Sequence, residues 1–137
     1  MSESLGIIIP DYKSPFLEQV IKNALLLNPE KIVVSNFETP ETLLIQNKFN
    51  HIKSIKFLNF DHRKNPGDYR NEGVQKCFSK NLLFLDSDLR ISSQSIGYIE
   101  NLLKSDLNED TVYWGIYSKS SQGAFSKIQN KILRYRF

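Results

Sequence analysis

With one cysteine, Cys77, the sequence can form neither an internal disulfide nor a cysteine-rich zinc site. That residue reads as a small apolar side chain packed on a helix. No apolar run approaches the roughly 20 residues that a membrane span requires, and no basic leader precedes an apolar stretch and a cleavage site. Charge of one sign is also scarce: 18 Lys and Arg against 15 Asp and Glu leave a formal net charge of +3. That balance argues against a dedicated nucleic-acid binder. Low-complexity tracts, linkers and internal repeats are missing as well. What remains is an ordinary globular composition, 40% hydrophobic and 24% charged, in 137 residues, the size of a single domain spanning 1–137. A reducing cytoplasm is the expected location.

The order of apolar runs says more than composition. "LGIII" reads as a buried strand stopped by Pro10. Ser14-Pro15 gives an N-cap and a first-turn proline, and Leu17, Val20, Ile21, Ala24 and Leu25 follow at the spacing of one buried helical face. "KIVVS" predicts a second strand, Thr39-Pro40 a second capped helix, and "SIKFLNF" a third strand. A polar loop, "DHRKNPG", leads to a third helix from about Asp68 to Lys80, with Val74 and Cys77 facing inward. "LLFLD" is the fourth strand; Ser92 or Ser93 caps a helix bearing Ile96, Ile99, Leu102 and Leu103; "TVYWGIYS" is the fifth strand. The closing segment, 124–137, reads as a basic amphipathic helix with Phe125, Ile128 and Ile132 on one stripe. Strands alternating with amphipathic helices imply a mostly parallel sheet covered on both faces, a three-layer α/β/α sandwich.

In such sheets ligands bind beyond the carboxyl ends of the strands. That rule selects Pro10-Asp11-Tyr12, Ser35-Asn36, the 61–67 loop with Arg70 behind it, and Asp86-Ser87-Asp88. Asp86 and Asp88 stand out, because an extended backbone places them on the same side a short distance apart. Two adjacent carboxylates repel, and one takes up a proton unless a cation lies between them. Mg²⁺ or Mn²⁺ suits such oxygen donors, and Mg²⁺ usually completes its shell with water and phosphate oxygens. The pair therefore suggests a metal shared with a phosphorylated ligand. The alternative is a plain turn in which Asp88 caps the next element.

"IIIPDYK", "YRNEG" and "LLFLDSD" resemble, in kind, order and spacing, the motifs of the family 2 glycosyltransferases of GT-A fold. The resemblance covers residues 5 to about 92. It implies a GT-A, Rossmann-like sandwich that binds a nucleoside-diphosphate sugar, most commonly a UDP-sugar, and transfers the sugar with inversion to a glycan or lipid-linked acceptor. It implies that Pro10, Asp11 and Tyr12 line the base pocket, with Tyr12 against the base. Ser35 and Asn36 would stand where a base contact is expected, and Arg70 would help hold the nucleotide. Asn71 and Gly73 would shape the helix start. Asp86 would reach the ribose or the metal, Ser87 would sit between the two carboxylates, and Asp88 would ligate the metal bridging the diphosphate. Arg63 or Lys64 would lie near the donor and could reach the diphosphate, although a merely solvated loop is the favoured reading.

The pattern also departs from the family. Members usually follow the second strand with an acidic residue that reads the base; here Ser35 and Asn36 stand in its place, and no carboxylate appears before Glu38. The family's general base comes from an acidic motif further along. Glu109-Asp110 lies too early in the order and reads as a solvated turn. The expectation is therefore a donor-binding part that binds nucleotide and transfers no sugar alone. Two rivals stay open: a sugar-phosphate nucleotidyltransferase-like domain, which normally has a Gly-rich basic loop after its first strand, and a receiver-type α/β binding module. The basic tail either rests on an anionic membrane surface or packs onto its own domain. His51 and His62 match no metal-ligand spacing.

Overall fold

The computed structural model describes residues 4–105 and the backbone of residues 111–119 and 126–136. Strands β1 (Leu5–Asp11), β2 (Lys31–Phe37), β3 (Ile55–Phe60) and β4 (Asn81–Phe84) form a parallel sheet in the order β3-β2-β1-β4. The helices α1 (Leu17–Leu25), α2 (Pro40–Phe49) and α3 (Pro66–Gln75) are the crossovers between them. A short strand, β5 (Leu89–Ile91), and helix α4 (Ser93–Lys104) come after the fourth strand.

β1 is buried along its whole length because it is flanked on both sides and covered on both faces. Ile7 and Ile9 point into the larger core, packed with Leu17, Val20, Ile21 and Ala24 of α1. Ile8 points the other way, onto Val33 and Cys77, under α3. Each such fully buried aliphatic side chain stabilises the fold by about 1.5–3 kcal/mol. Gly73 lets α3 approach β1 closely, since a Cβ there would stand 2.6 Å from Ile8 Cγ2.

Three helix starts obey capping chemistry. Thr39 and Thr42 form a reciprocal capping box at α2, Asn65 Oδ1 accepts from the Asp68 amide at 2.8 Å at α3, and Ser92 accepts from the Ser95 amide at 3.1 Å at α4. Two expectations are corrected here. Helix α1 begins at Leu17 after Phe16, not at the Ser14-Pro15 signal: the Ser14 hydroxyl accepts from the Phe16 amide at 3.1 Å, but residues 15–16 form a turn ahead of the helix. Helix α3 begins at Pro66, with Asn65-Pro66 serving as cap and first-turn proline, and ends at Gln75. Cys77 is accordingly buried just past the helix rather than on it.

The chain beyond Lys104 also differs from expectation. The fifth predicted strand, β6 (Thr111–Lys119), pairs antiparallel with β7 (Ser126–Arg136), which also pairs parallel with β5. These three form a separate sheet in the order β5-β7-β6, not an extension of the parallel one. The closing segment, expected as a basic amphipathic helix, is therefore a strand over 126–136. Its spacing of apolar residues admits both periods, and pairing with a distant strand decides between them.

A cleft at the carboxyl edge of the parallel sheet

The parallel sheet delivers its strand ends to one edge, and a cleft of about 610 Å³ opens there. Its walls come from the loop after β1, the loop entering α3, the first turns of that helix, and the segment between β4 and β5. Pro10, Asp11, Tyr12, Arg70, Asp86, Ser87 and Asp88 all line it, and so do Arg63 and Lys64.

Asp86 faces a cation supplied by the protein itself. Arg70 Nη2 donates to Asp86 Oδ1 at 2.7 Å, with the two side chains 36% and 38% exposed. Helix α3 presents this guanidinium one turn beyond its Asn65 cap. Asp88 is exposed and has no ion pair among the described residues. The two carboxylates thus differ: one is neutralised by Arg70, the other is left to solvent or ligand. The chain turns sharply between them, with the Leu89 amide donating to the Asp86 carbonyl at 3.2 Å.

That turn is tied to the loop after β1. Ser14 Oγ donates to the Ser87 carbonyl at 2.8 Å, and the Ser14 amide donates to Asp11 Oδ1 at 3.2 Å. Ser14 therefore links the first strand end to the middle of Asp86-Ser87-Asp88, across 73 positions of sequence. Sequence reasoning missed this role, since Ser before Pro also signals a helix cap. Asp11 is 1% exposed, and its Oδ2 has no hydrogen-bond partner among the described residues. Burial pushes its carboxyl above the ordinary value, opposed by the Ser87 hydroxyl and the Ser14 amide.

Tyr12 forms an aromatic ledge at the cleft mouth. It is 39% exposed and lies 5.3 Å from the Phe37 ring, centroid to centroid. The Arg63 guanidinium sits over it at 4.6 Å and Lys13 Nζ at 5.5 Å. Lys13 holds φ at 57°, a left-handed conformation unusual for a lysine. Lys64 is anchored beside Arg63: its amide donates to Tyr69 Oη at 3.2 Å, and its ammonium lies 4.7 Å from the Phe60 ring centroid.

Ser35 and Asn36 do not join this group. They sit at the end of β2 in register with Pro10 and Asp11, fully buried, and neither lines the cleft. Asn36 Nδ2 donates to the Phe37 carbonyl at 3.2 Å, while Ser35 Oγ and Asn36 Oδ1 lack partners among the described residues. Asn71 lies exposed in the middle of α3, away from the helix start expected for it. Glu109-Asp110 falls outside the described residues, as do the side chains of the basic closing segment.

Among the described residues no group of three or more His, Cys, Asp and Glu could hold a metal by itself. Two carboxylates in a cationic cleft do match the donor set of an ion that takes the rest of its shell from phosphate and water. Asp88, exposed and unpaired, is the better placed of the two.

Comparison with known proteins agrees with this architecture. The family model described as glycosyl transferase family 2 matches residues 6–136. A crystal structure of S. aureus TarS, 1–349, superposes with a TM-score of 0.65 at 22% identity, covering 88% of this chain and 37% of that one. A second TarS crystal structure gives a TM-score of 0.53 at 26% identity over 62% of this chain and 16% of that one. The chain thus spans well under half the length of either neighbour. No match was found among curated proteins. Since the family match runs through nearly all of the chain and its α/β architecture superposes on that of TarS, this chain belongs to glycosyl transferase family 2 and adopts the GT-A fold.

Proposed function

We propose that the cleft binds a nucleoside-diphosphate sugar, UDP-linked by the family's commonest choice, as the donor part of an inverting glycosyltransferase acting on a glycan or lipid-linked acceptor. The observation that carries this reading is the gathering of Tyr12, Arg70, Asp86 and Asp88 in one cleft, from three separate stretches of sequence. Tyr12 offers its ring to the base. Arg70, already bonded to Asp86, holds that carboxylate in place. Lys13 and Lys64 add positive charge around the space a diphosphate would fill.

Asp88, with the second oxygen of Asp86, would hold Mg²⁺ or Mn²⁺. Such an ion supplies positive charge against the leaving nucleoside diphosphate. Asp11 and Ser14 keep the 86–88 turn in position, so that the carboxylates meet the ligand without rearrangement. No general base stands in the cleft among the described residues other than these carboxylates. The chain is accordingly proposed to bind donor without turnover. A reducing, cytoplasmic setting suits the free buried thiol of Cys77, and no helix of the described residues is long and apolar enough to cross a membrane.

A thermal-shift panel of UDP, GDP, ADP, CDP and dTDP, each with and without Mn²⁺, tests this reading. Stabilisation by one nucleotide that requires metal is expected. Stabilisation by beryllofluoride with none by nucleotides would favour a receiver-type module instead.

A further inference from the structure

We propose that Arg63 forms the second wall of a slot for the nucleobase, with Tyr12 the first, so that the base is held between a guanidinium plane and an aromatic ring. The proposal rests on the donor-binding reading and adds a residue and a mode of recognition to it.

The present contact already has the elements of such a slot. The Arg63 carbon Cζ lies 4.6 Å from the Tyr12 centroid, the separation of a cation over a ring face. Among the described residues Arg63 has no carboxylate partner, so its ring contact is what orients it. A guanidinium is planar and more weakly hydrated than an ammonium, and it stacks on a flat heterocycle as readily as on tyrosine. Entry of a base replaces one stacked contact by two, Tyr12 with base and base with Arg63.

The chain around Arg63 allows this. Residue 63 is exposed and lies in neither helix nor strand, between the end of β3 and the start of α3. Its side chain would retreat by one ring thickness to admit a base. The backbone just beyond it is fixed, because the Lys64 amide is bonded to Tyr69 Oη and Asn65 caps α3. Tyr12 is fixed by Phe37 at 5.3 Å. One wall is thus rigid and the other adjustable. Such a slot grips the face of the base.

The test uses the full chain and three probes: whichever of the five nucleoside diphosphates binds best, its nucleoside, and inorganic pyrophosphate, each titrated in Mn²⁺ by calorimetry. Arg63→Ala is expected to weaken nucleoside and nucleoside diphosphate alike, by roughly tenfold, and to leave pyrophosphate unchanged. Arg63→Lys, which keeps the charge without the plane, is expected to recover only part of that loss. Weakening of pyrophosphate and the diphosphate with no effect on the nucleoside would overturn the proposal and assign Arg63 to the phosphates. Tighter binding by Arg63→Ala would also overturn it, showing that the guanidinium merely occupies the place of the base. If wild-type chain binds nucleotide and Arg63→Ala is indistinguishable from it, this proposal alone fails; if wild type binds none of the probes, the donor-binding reading fails with it.

Discussion

Asp86 and Asp88 look equivalent in sequence and are not equivalent in the molecule. The Arg70–Asp86 pair is more than a third exposed on both sides, so its contribution to stability is small, about 1 kcal/mol or less. Asp86→Ala is therefore expected to leave the melting temperature within a few degrees of wild type and to abolish nucleotide-induced stabilisation in the same thermal scan. Ser14→Ala removes the donor to the Ser87 carbonyl and is expected to cost about 1 kcal/mol in denaturant unfolding, while weakening nucleotide binding in the folded chain. Ser14→Thr, which keeps the hydroxyl, is expected to restore binding. Asp11 supplies a pH signature. Its buried carboxyl holds its proton more tightly folded than unfolded, so the stability it contributes is present below the ordinary carboxyl range and is lost as pH rises through its raised value. Asp11→Asn, which retains an acceptor for the Ser14 amide, is expected to melt higher than wild type at neutral pH. That gain should shrink as pH falls toward 3.8, the ordinary value. A gain that grew on acidification would contradict the assigned cause.

At the scale of elements, Gly73 and Gly6 make a matched pair. A Cβ at Gly73 meets Ile8 and pushes α3 off the sheet; a Cβ at Gly6 overlaps Cys77 Sγ at the far end of β1. Both alanine variants are expected to destabilise by about 1–3 kcal/mol through overpacking. Only Gly73→Ala, whose helix carries Arg70, is expected to weaken nucleotide binding in the folded fraction; equal losses in both would mean that α3 does not position the cleft. Most elements were legible in the sequence because their apolar periods were clean: the β-branched runs of β1 and β2, the alternation of Ile55, Phe57 and Phe60 with polar residues in β3, and the α1 face from Leu17 to Ala24. Capping signals were less faithful. Thr39-Pro40 and Asn65-Pro66 start helices by the same chemistry, yet the second lay inside a polar stretch that reads as loop. Ser14-Pro15 carries the same signal, yet its hydroxyl caps only a turn over residues 15–16, accepting from the Phe16 amide while donating to a carbonyl 73 positions away. Strand β7 was illegible for a related reason, since its hydrogen bonds go to β5 and β6, elsewhere along the chain.

For the whole molecule, the rule that ligands gather beyond the strand ends of a parallel sheet was enough to collect Pro10, Asp11, Tyr12, Arg70 and the 86–88 turn from sequence. It failed at Ser35 and Asn36, whose side chains turn inward at the same edge; strand-end position alone does not tell which way a side chain points. It also could not show that Arg70 is spoken for by Asp86, because that contact depends on how α3 lies across the sheet. The basic closing segment belongs to the same scale. With β7 paired on both sides, the chain is expected to remain in the supernatant when anionic liposomes are pelleted.

The most direct test is calorimetric titration of UDP into wild type and Asp88→Asn, each in Mn²⁺ and in EDTA. Wild type is expected to lose at least about tenfold in affinity without metal, and Asp88→Asn in Mn²⁺ to bind no better than wild type in EDTA. Metal-dependent binding of undiminished strength in Asp88→Asn would contradict the role given to that carboxylate, and with it the donor site.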